Sequence, residues 1–385
     1  MKLKLTRMDE FPRHQTGVTF DIVNSSSPHW SDGYYYTMGD DQGRVAFFSA
    51  LRLYATNDVM DAFTCVSGGG LQHNMRFSRR LRPRIDDLEC GAMSVDIIEG
   101  LRRIRTRAEP NEYGISYDLL WEGFTPPYNE EYQITFAGGR LAGERSNYDQ
   151  VMDVSGWLEV KGVRYEVEPK HWTGVRDHSW GVGPTGGPSS KIAAPLPRGI
   201  PFGLRQWVWF KLPDRAIFWH FHRNASGQLT KFESVCMYPY GDDREPYVYS
   251  NIEQDLEFVP GERRLVRGTV EMTRPDGQLE RFLMENITDP VYLEGGGYWQ
   301  GYDDHRGRGA YRGDEHSEGE TWDVTHPTLI GDPKRIAQSR PDAWCENFGR
   351  FTNLDNPSEV GIGHLECVVS GSYPGFPEER KLSLL

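Results

Sequence analysis

Cysteine is scarce in this chain: Cys65, Cys90, Cys236, Cys345 and Cys367 are scattered, with no C-x-x-C pair among them. That spacing excludes a disulfide framework and a zinc cluster, and the five are expected to be reduced core residues. No stretch approaches the ~20 uninterrupted apolar residues that span a bilayer, and no apolar run follows the charged start Met1–Arg7. A soluble, cytoplasmic protein with no integral membrane segment is expected. Basic charge is also short. A net charge of −13 argues against nucleic-acid or anionic-membrane partners, which are bound by clustered Lys and Arg. The run Arg76, Arg79, Arg80, Arg82 and Arg84 is the local exception, and beside Asp86 and Asp87 it reads as a solvated face. Gly68–Gly70 and Gly295–Gly297 lack the strand–helix context and the lysine of a phosphate loop, and no G-x-S-x-G elbow occurs. Helical periodicity is equally scarce.

What is abundant is the period-two alternation of strands. Tyr34–Met38 and Gly43–Tyr54 form a hairpin across Asp40-Asp41-Gln42-Gly43, and further hairpins are expected at Gly156–Val160 with Arg164–Val167, Trp207–Phe210 with Ala216–His222, and Gly268–Met272 with Leu279–Met284. Strands this numerous, without intervening helices, make the chain mostly β, built as barrels or sandwiches. Its 385 residues exceed one core, so two domains are expected. An internal repeat is suggested by Gly143-Glu144-Arg145, a hairpin and Gly174-Val175-Arg176-Asp177-His178, echoed by Gly261-Glu262-Arg263, a hairpin and Gly301-Tyr302-Asp303-Asp304-His305. The second copy carries an insertion around Asn286–Gly297. Between the copies, Gly181–Ser190 and the prolines at 195, 197 and 201 read as a linker, giving domains 1–195 and 196–385.

The segment His171–Gly181 gathers an acid, two imidazoles, a guanidinium and two indoles. A carboxylic acid walled by Trp has its charged form disfavoured and remains a proton donor near neutral pH. This points to Asp177 as the acid, with Trp172 and Trp180 as its walls and Arg176 and His178 opposing the shift. The competing reading makes Asp177 a turn cap paired with Arg176, leaving Trp180 as core.

The motif Gly174-Val175-Arg176-Asp177-His178-Ser179-Trp180-Gly181, with a hairpin before it and a second G-x-x-D-H after it, resembles the AttH-like and carotenoid 1,2-hydratase-like proteins. The resemblance implies paired lipocalin-like antiparallel β-barrels arranged as a pseudo-repeat. It also implies acid–base hydration, dehydration or cyclisation of isoprenoid or polyketide substrates, with the family's catalytic acid carried over to Asp177. Where those hydratases have His-x-Trp, the nearest stretch here is Asn147-Tyr148-Asp149.

In the second copy, Asp304 and His305 are candidates for a further acid–base pair, with Trp299 and Tyr302 beside them. Asp303, Asp304, His305, Glu315 and His316 match no established metal-ligand spacing, so no metal is expected. In Phe218–His222, alternation sends His220 and His222 to one face and Trp219 and Phe221 to the other. The two histidines suit a pocket wall or a hydrogen-bonded interior.

The leading expectation is a cofactor-independent hydratase or dehydratase acting on a small apolar, terpenoid-like alkene or alcohol. Asp177, His178, Tyr148, His305 and Asp304 are its catalytic candidates. Arg176, Trp172, Trp180, Trp299, Tyr302, Trp219, His220 and His222 line the substrate. An isomerase or cyclase in the same cavity and a non-catalytic lipid carrier are the alternatives, and a homodimer is left open.

Overall fold

The computed structural model describes residues 5–137, 139–183, 203–260, 262–298, 301–325, 345–369 and 372–376. Among these, strands dominate and no α-helix occurs; two short 3-10 turns, Arg7–Glu10 and Leu293–Gly296, are the helical elements. The strands form two curled antiparallel sheets. The first curls into a nearly closed barrel, in which Cys90 donates to the Met60 carbonyl and Arg79 Nε to the Glu89 carbonyl at 2.6 Å.

Alternation decides what each face packs against. Along Trp30–Asp40, Tyr36 and Met38 point into the first barrel with Phe47, Leu51, Trp121 and Trp172. Trp219 and Phe221 sit in the second core with Phe210 and Phe351, whose rings stack at 4.1 Å. A third apolar group lies between the sheets, joining Val151 and Val175 of the first to Trp207, Trp209 and Phe218 of the second. All five cysteines are buried and unpaired.

The two sheets share an order. In the first, Trp30–Asp40 pairs with Trp172–Val182, which pairs with Arg140–Val160, then Ile115–Gly123, Arg103–Ala108 and Met93–Glu99. In the second, Leu204–Lys211 pairs with Val360–Val369, followed by Cys345–Asn353, Leu279–Asn286, Leu265–Thr273 and Asn251–Phe258. The pseudo-repeat is therefore present in a different register from the expected one. The counterpart of Trp172–Val182 is Val360–Val369, and the hairpin of Leu265–Thr273 and Leu279–Asn286 corresponds to Arg103–Ala108 with Ile115–Gly123. Alternation is common to every hairpin, so pairing order, which a linear comparison does not contain, decides equivalence.

The segment carrying Gly301–His305 crosses to the first sheet, where Glu315–Glu318 and Thr321–Asp323 pair with Leu71–Arg80. Arg76 holds it there, and neither Arg76 nor Arg79 is solvated as expected. Arg76 is fully buried against Glu318, Glu320 and the Gly295 carbonyl, and Arg79 donates to the carbonyls of Glu89, Leu81 and Asp87. The linker from residue 184 and the boundary at 195 lie outside the described residues.

Candidate active site between the sheets

Trp172–Val182 is a central strand, and its glycines mark close approaches. A Cβ on Gly174 would lie 2.7 Å from the Trp121 ring, and one on Gly181, where φ is 121°, would strike the Glu144 carbonyl. Alternation divides the motif between two surfaces. Trp172, Arg176, His178 and Trp180 face the first barrel's interior and mouth, whereas Thr173, Val175, Asp177 and Ser179 face the second sheet. Trp172 and Trp180 therefore do not wall Asp177 as expected, being an odd number of residues away on an extended strand. Asp177 is 7% exposed, and its carboxylate lies 3.6 Å from Arg145.

The indole-shielded acid is Asp149, directly opposite Asp177 in the register. It is fully buried and accepts a hydrogen bond from Trp209 Nε1 at 3.3 Å. Burial, then the charges of Glu130 and Asp177, raise its pKa well above the ordinary carboxyl value, which favours the protonated acid.

Glu130 is its opposite. It follows the Tyr128–Asn129 strand, which pairs with Tyr148 and Asp149. It accepts from Asn147 Nδ2 (2.8 Å), Trp207 Nε1 (3.0 Å) and His220 Nδ1 (2.9 Å), and it is hydrogen-bonded to Asp149. Burial opposes its ionisation, but His220 and Lys231 outweigh burial and hold its pKa well below the usual range.

His220 projects from Ala216–Arg223 in the second sheet. Burial pushes it down to about 4 despite Glu130. At neutral pH the ring is thus uncharged; its Nδ1 faces both the Glu130 carboxylate, which calls for an N–H there, and Lys231 Nζ at 3.1 Å, and Nε2 is buried without a hydrogen-bond partner. His222, its ring 5.2 Å away, is pushed down to about 3 by burial and by His220. The expected division of this strand holds, since Trp219 is core with Nε1 on Gln206, not substrate wall. Asn147 Oδ1 and Arg145 Nε are further buried atoms on this face lacking a hydrogen bond. A seam that buries acids, imidazoles and unpaired polar atoms together is a candidate functional site.

The first barrel's inner face holds a second array. His178 lies between Tyr148 OH, 3.0 Å from Nδ1, and Asp32 Oδ1, 2.8 Å from Nε2. The Tyr34 ring packs on it at 4.5 Å and the half-exposed Trp180 at 5.4 Å. Arg176 donates to Gln150 and stands 5.1 Å over the Tyr148 ring. Burial raises the Tyr148 phenol, against the pull of Arg176.

His305 and Asp304 join neither array. Asp304 pairs with Arg306 and Arg312, and His305 is exposed in a turn with φ 57°. Both lie on the segment docked against Leu71–Arg80, four strands from the motif in sheet order. Tyr302 is buried there beneath Arg312, and Trp299 is outside the described residues. A cleft of about 590 Å³ opens near this segment, lined by Phe77, Arg79, Arg84, Glu315 and His316.

Three buried groups in the second sheet, Glu346, His364 and Glu366, offer ligand atoms within 4.8 Å of one another. Arg205 pairs with Glu366, and Tyr35 donates to Glu346 at 2.6 Å. Sequence reasoning missed Glu130, Asp149 and Asp32. Asp149 stood within the quoted stretch Asn147-Tyr148-Asp149 without being singled out, but Glu130 in Tyr-Asn-Glu-Glu-Tyr carries no local signal.

One family model matches the chain, over residues 5–372. No curated protein matches it. Among solved structures, kievitone hydratase from Nectria haematococca is similar at 11% identity, with 96% of each chain covered and a TM-score of 0.48. CghA with Sch210972 is similar at 10% identity, with 89% of each chain covered and a TM-score of 0.47.

Proposed function

The chain belongs to the family that this model describes, a family of unknown function (DUF8625), and we propose that it is a cofactor-independent hydratase or dehydratase working at the seam between its sheets. The observation that carries this is the chain Asp149–Glu130–His220, a proton-holding acid joined through a carboxylate to an imidazole whose Nε2 is unpartnered. In hydration, Asp149 gives its proton to an alkene carbon. Water adds to the resulting cation and loses a proton to His220 Nε2, and the proton returns through Nδ1 and Glu130 to Asp149. Dehydration is the reverse. General acid catalysis of this kind contributes roughly 10²–10⁴-fold, and the faces of Trp207 and Trp209 stabilise a desolvated cation by about 2 kcal/mol. Asp177, on which the family resemblance places the acid, adds the negative charge that keeps Asp149 protonated.

The test is incubation with terpenoid-like alkenes and alcohols in ¹⁸O-water, read by mass. One water gained or lost, and its disappearance in Asp149→Asn, is expected. Undiminished turnover in that variant overturns the proposal. A second reading, isomerisation, is favoured by the Tyr148–His178–Asp32 array, whose partial exposure gives a substrate access. It predicts a product of unchanged mass, and loss of turnover in His178→Asn but not in Asp149→Asn.

A further inference from the structure

Two guanidinium groups converge on one hydroxyl at the edge of this seam. Arg52 Nη2 and Arg145 Nη2 each lie 2.7 Å from Ser179 Oγ, and Ser179 is fully buried. Arg52 directs further hydrogen bonds to Ser31 Oγ, the Gly33 carbonyl and the Ser179 carbonyl. Among the described residues no carboxylate lies within ion-pair distance of Arg52, and Arg145 has only Asp177. Two cations thus share one anion. Like charges this close in a desolvated place are costly without a further counter-charge, and burial followed by the Arg145 charge depresses Arg52. The chain that continues from this edge, from Gly183 to Gly203, contains no Asp or Glu, so that stretch has no carboxylate to offer. Arg145 Nε is buried without a hydrogen-bond partner, while its side chain as a whole is 35% exposed, within reach of an incoming molecule.

We propose that Arg145 and Arg52 bind a carboxylate on the substrate, so that the ligand is an apolar chain bearing one anionic end. The carboxylate takes the exposed part of the Arg145 guanidinium and the charge that Asp177 leaves unbalanced. Asp177, 3.6 Å from Arg145, disfavours a dianion and makes a carboxylate the better fit than a phosphate. This rests on the seam being the substrate site, and it adds an anionic end to the small, largely apolar substrate expected from the sequence. Arg145 is a binding group, one strand over from Asp177 and four positions from Asp149.

The test is isothermal titration of the full chain with geranic acid, its methyl ester, geraniol and inorganic phosphate. Geranic acid is expected to bind at least tenfold tighter than the ester or the alcohol, as befits a charge-assisted hydrogen bond. Arg145→Met removes that preference, and Arg145→Lys retains part of it. The preference persists in Asp149→Asn, because binding does not need the proton donor, which separates failure here from failure of the catalytic proposal. Equal binding of acid and ester, no binding of the acid, a preference untouched by Arg145→Met with the fold intact by circular dichroism, or phosphate outcompeting the acid each overturn it.

Discussion

Asp149 and Asp177 stand directly opposite each other on neighbouring strands, both facing the second sheet, and only Asp177 has a guanidinium within 4 Å. Like charges in opposed positions of a sheet repel, and the charge of Asp177 is among the causes that raise Asp149. Arg145 lies 3.6 Å from the Asp177 carboxylate. Asp149, with an indole for a neighbour and the Glu130 carboxylate beside it, keeps the proton. One strand pair thus provides an acid and an anion.

Replacing Asp177 with Asn removes one negative neighbour from Asp149 and lowers its raised pKa. The high-pH limb of kcat/KM, where Asp149 loses its proton, is expected to move to lower pH, with activity reduced less than the ~10²-fold or greater loss expected for Asp149→Asn. A limb that stays in place after the substitution refutes the coupling.

Folding stability is expected to fall on mild acidification. His220 and His222 have folded pKa values pushed down to about 4 and about 3 from 6.5. Below pH 6.5 the unfolded chain takes up protons that the folded chain refuses, so stability is lost between pH 6.5 and about 4, on the order of a few kcal/mol. Asp149, raised, acts in the opposite direction. Denaturant melts of the double variant His220→Gln/His222→Gln should show a flatter slope across that window than the parent.

Arg76→Met breaks a buried cluster that fixes residues 293–325 to the first sheet and strands Glu318 without its cation. A loss of about 3–5 kcal/mol is expected, with new proteolytic cleavage in that segment. Cleavage rates matching the parent's would show that the strand pairing of Glu315–Glu318 suffices.

Tyr148→Phe deletes the hydroxyl facing His178. About 1 kcal/mol of stability should go, while hydration turnover stays within a few-fold, because the phenol faces away from the seam. A collapse of turnover would transfer the chemistry to the first barrel's inner face.

Much of this was legible in linear order. The hairpin at Tyr34–Met38, the opposed faces of Trp219 and His220, and the buried, unpaired cysteines follow from alternation and spacing alone. The motif from Gly174 to Gly181 was legible as chemistry, but its geometry was not. Asp177, Trp172 and Trp180 adjoin in sequence, yet an extended backbone sends them to opposite sides. Glu130 sits beside a second glutamate in a loop of ordinary surface composition, and only the second sheet above it supplies Trp207 and His220. Likewise, the basic run from Arg76 carries the pattern of a solvated face until residues 315–323 cover it.

The sequence by itself determined a mostly β chain, because period-two alternation requires only near neighbours, whereas the pairing order that matches strands of the two sheets came from the fold. Which carboxyl has its pKa raised, and where two arginines meet with one carboxylate among the described residues, only the tertiary structure decided. Charge and solvation depend on distances between strands well separated in sequence, and no local pattern encodes them.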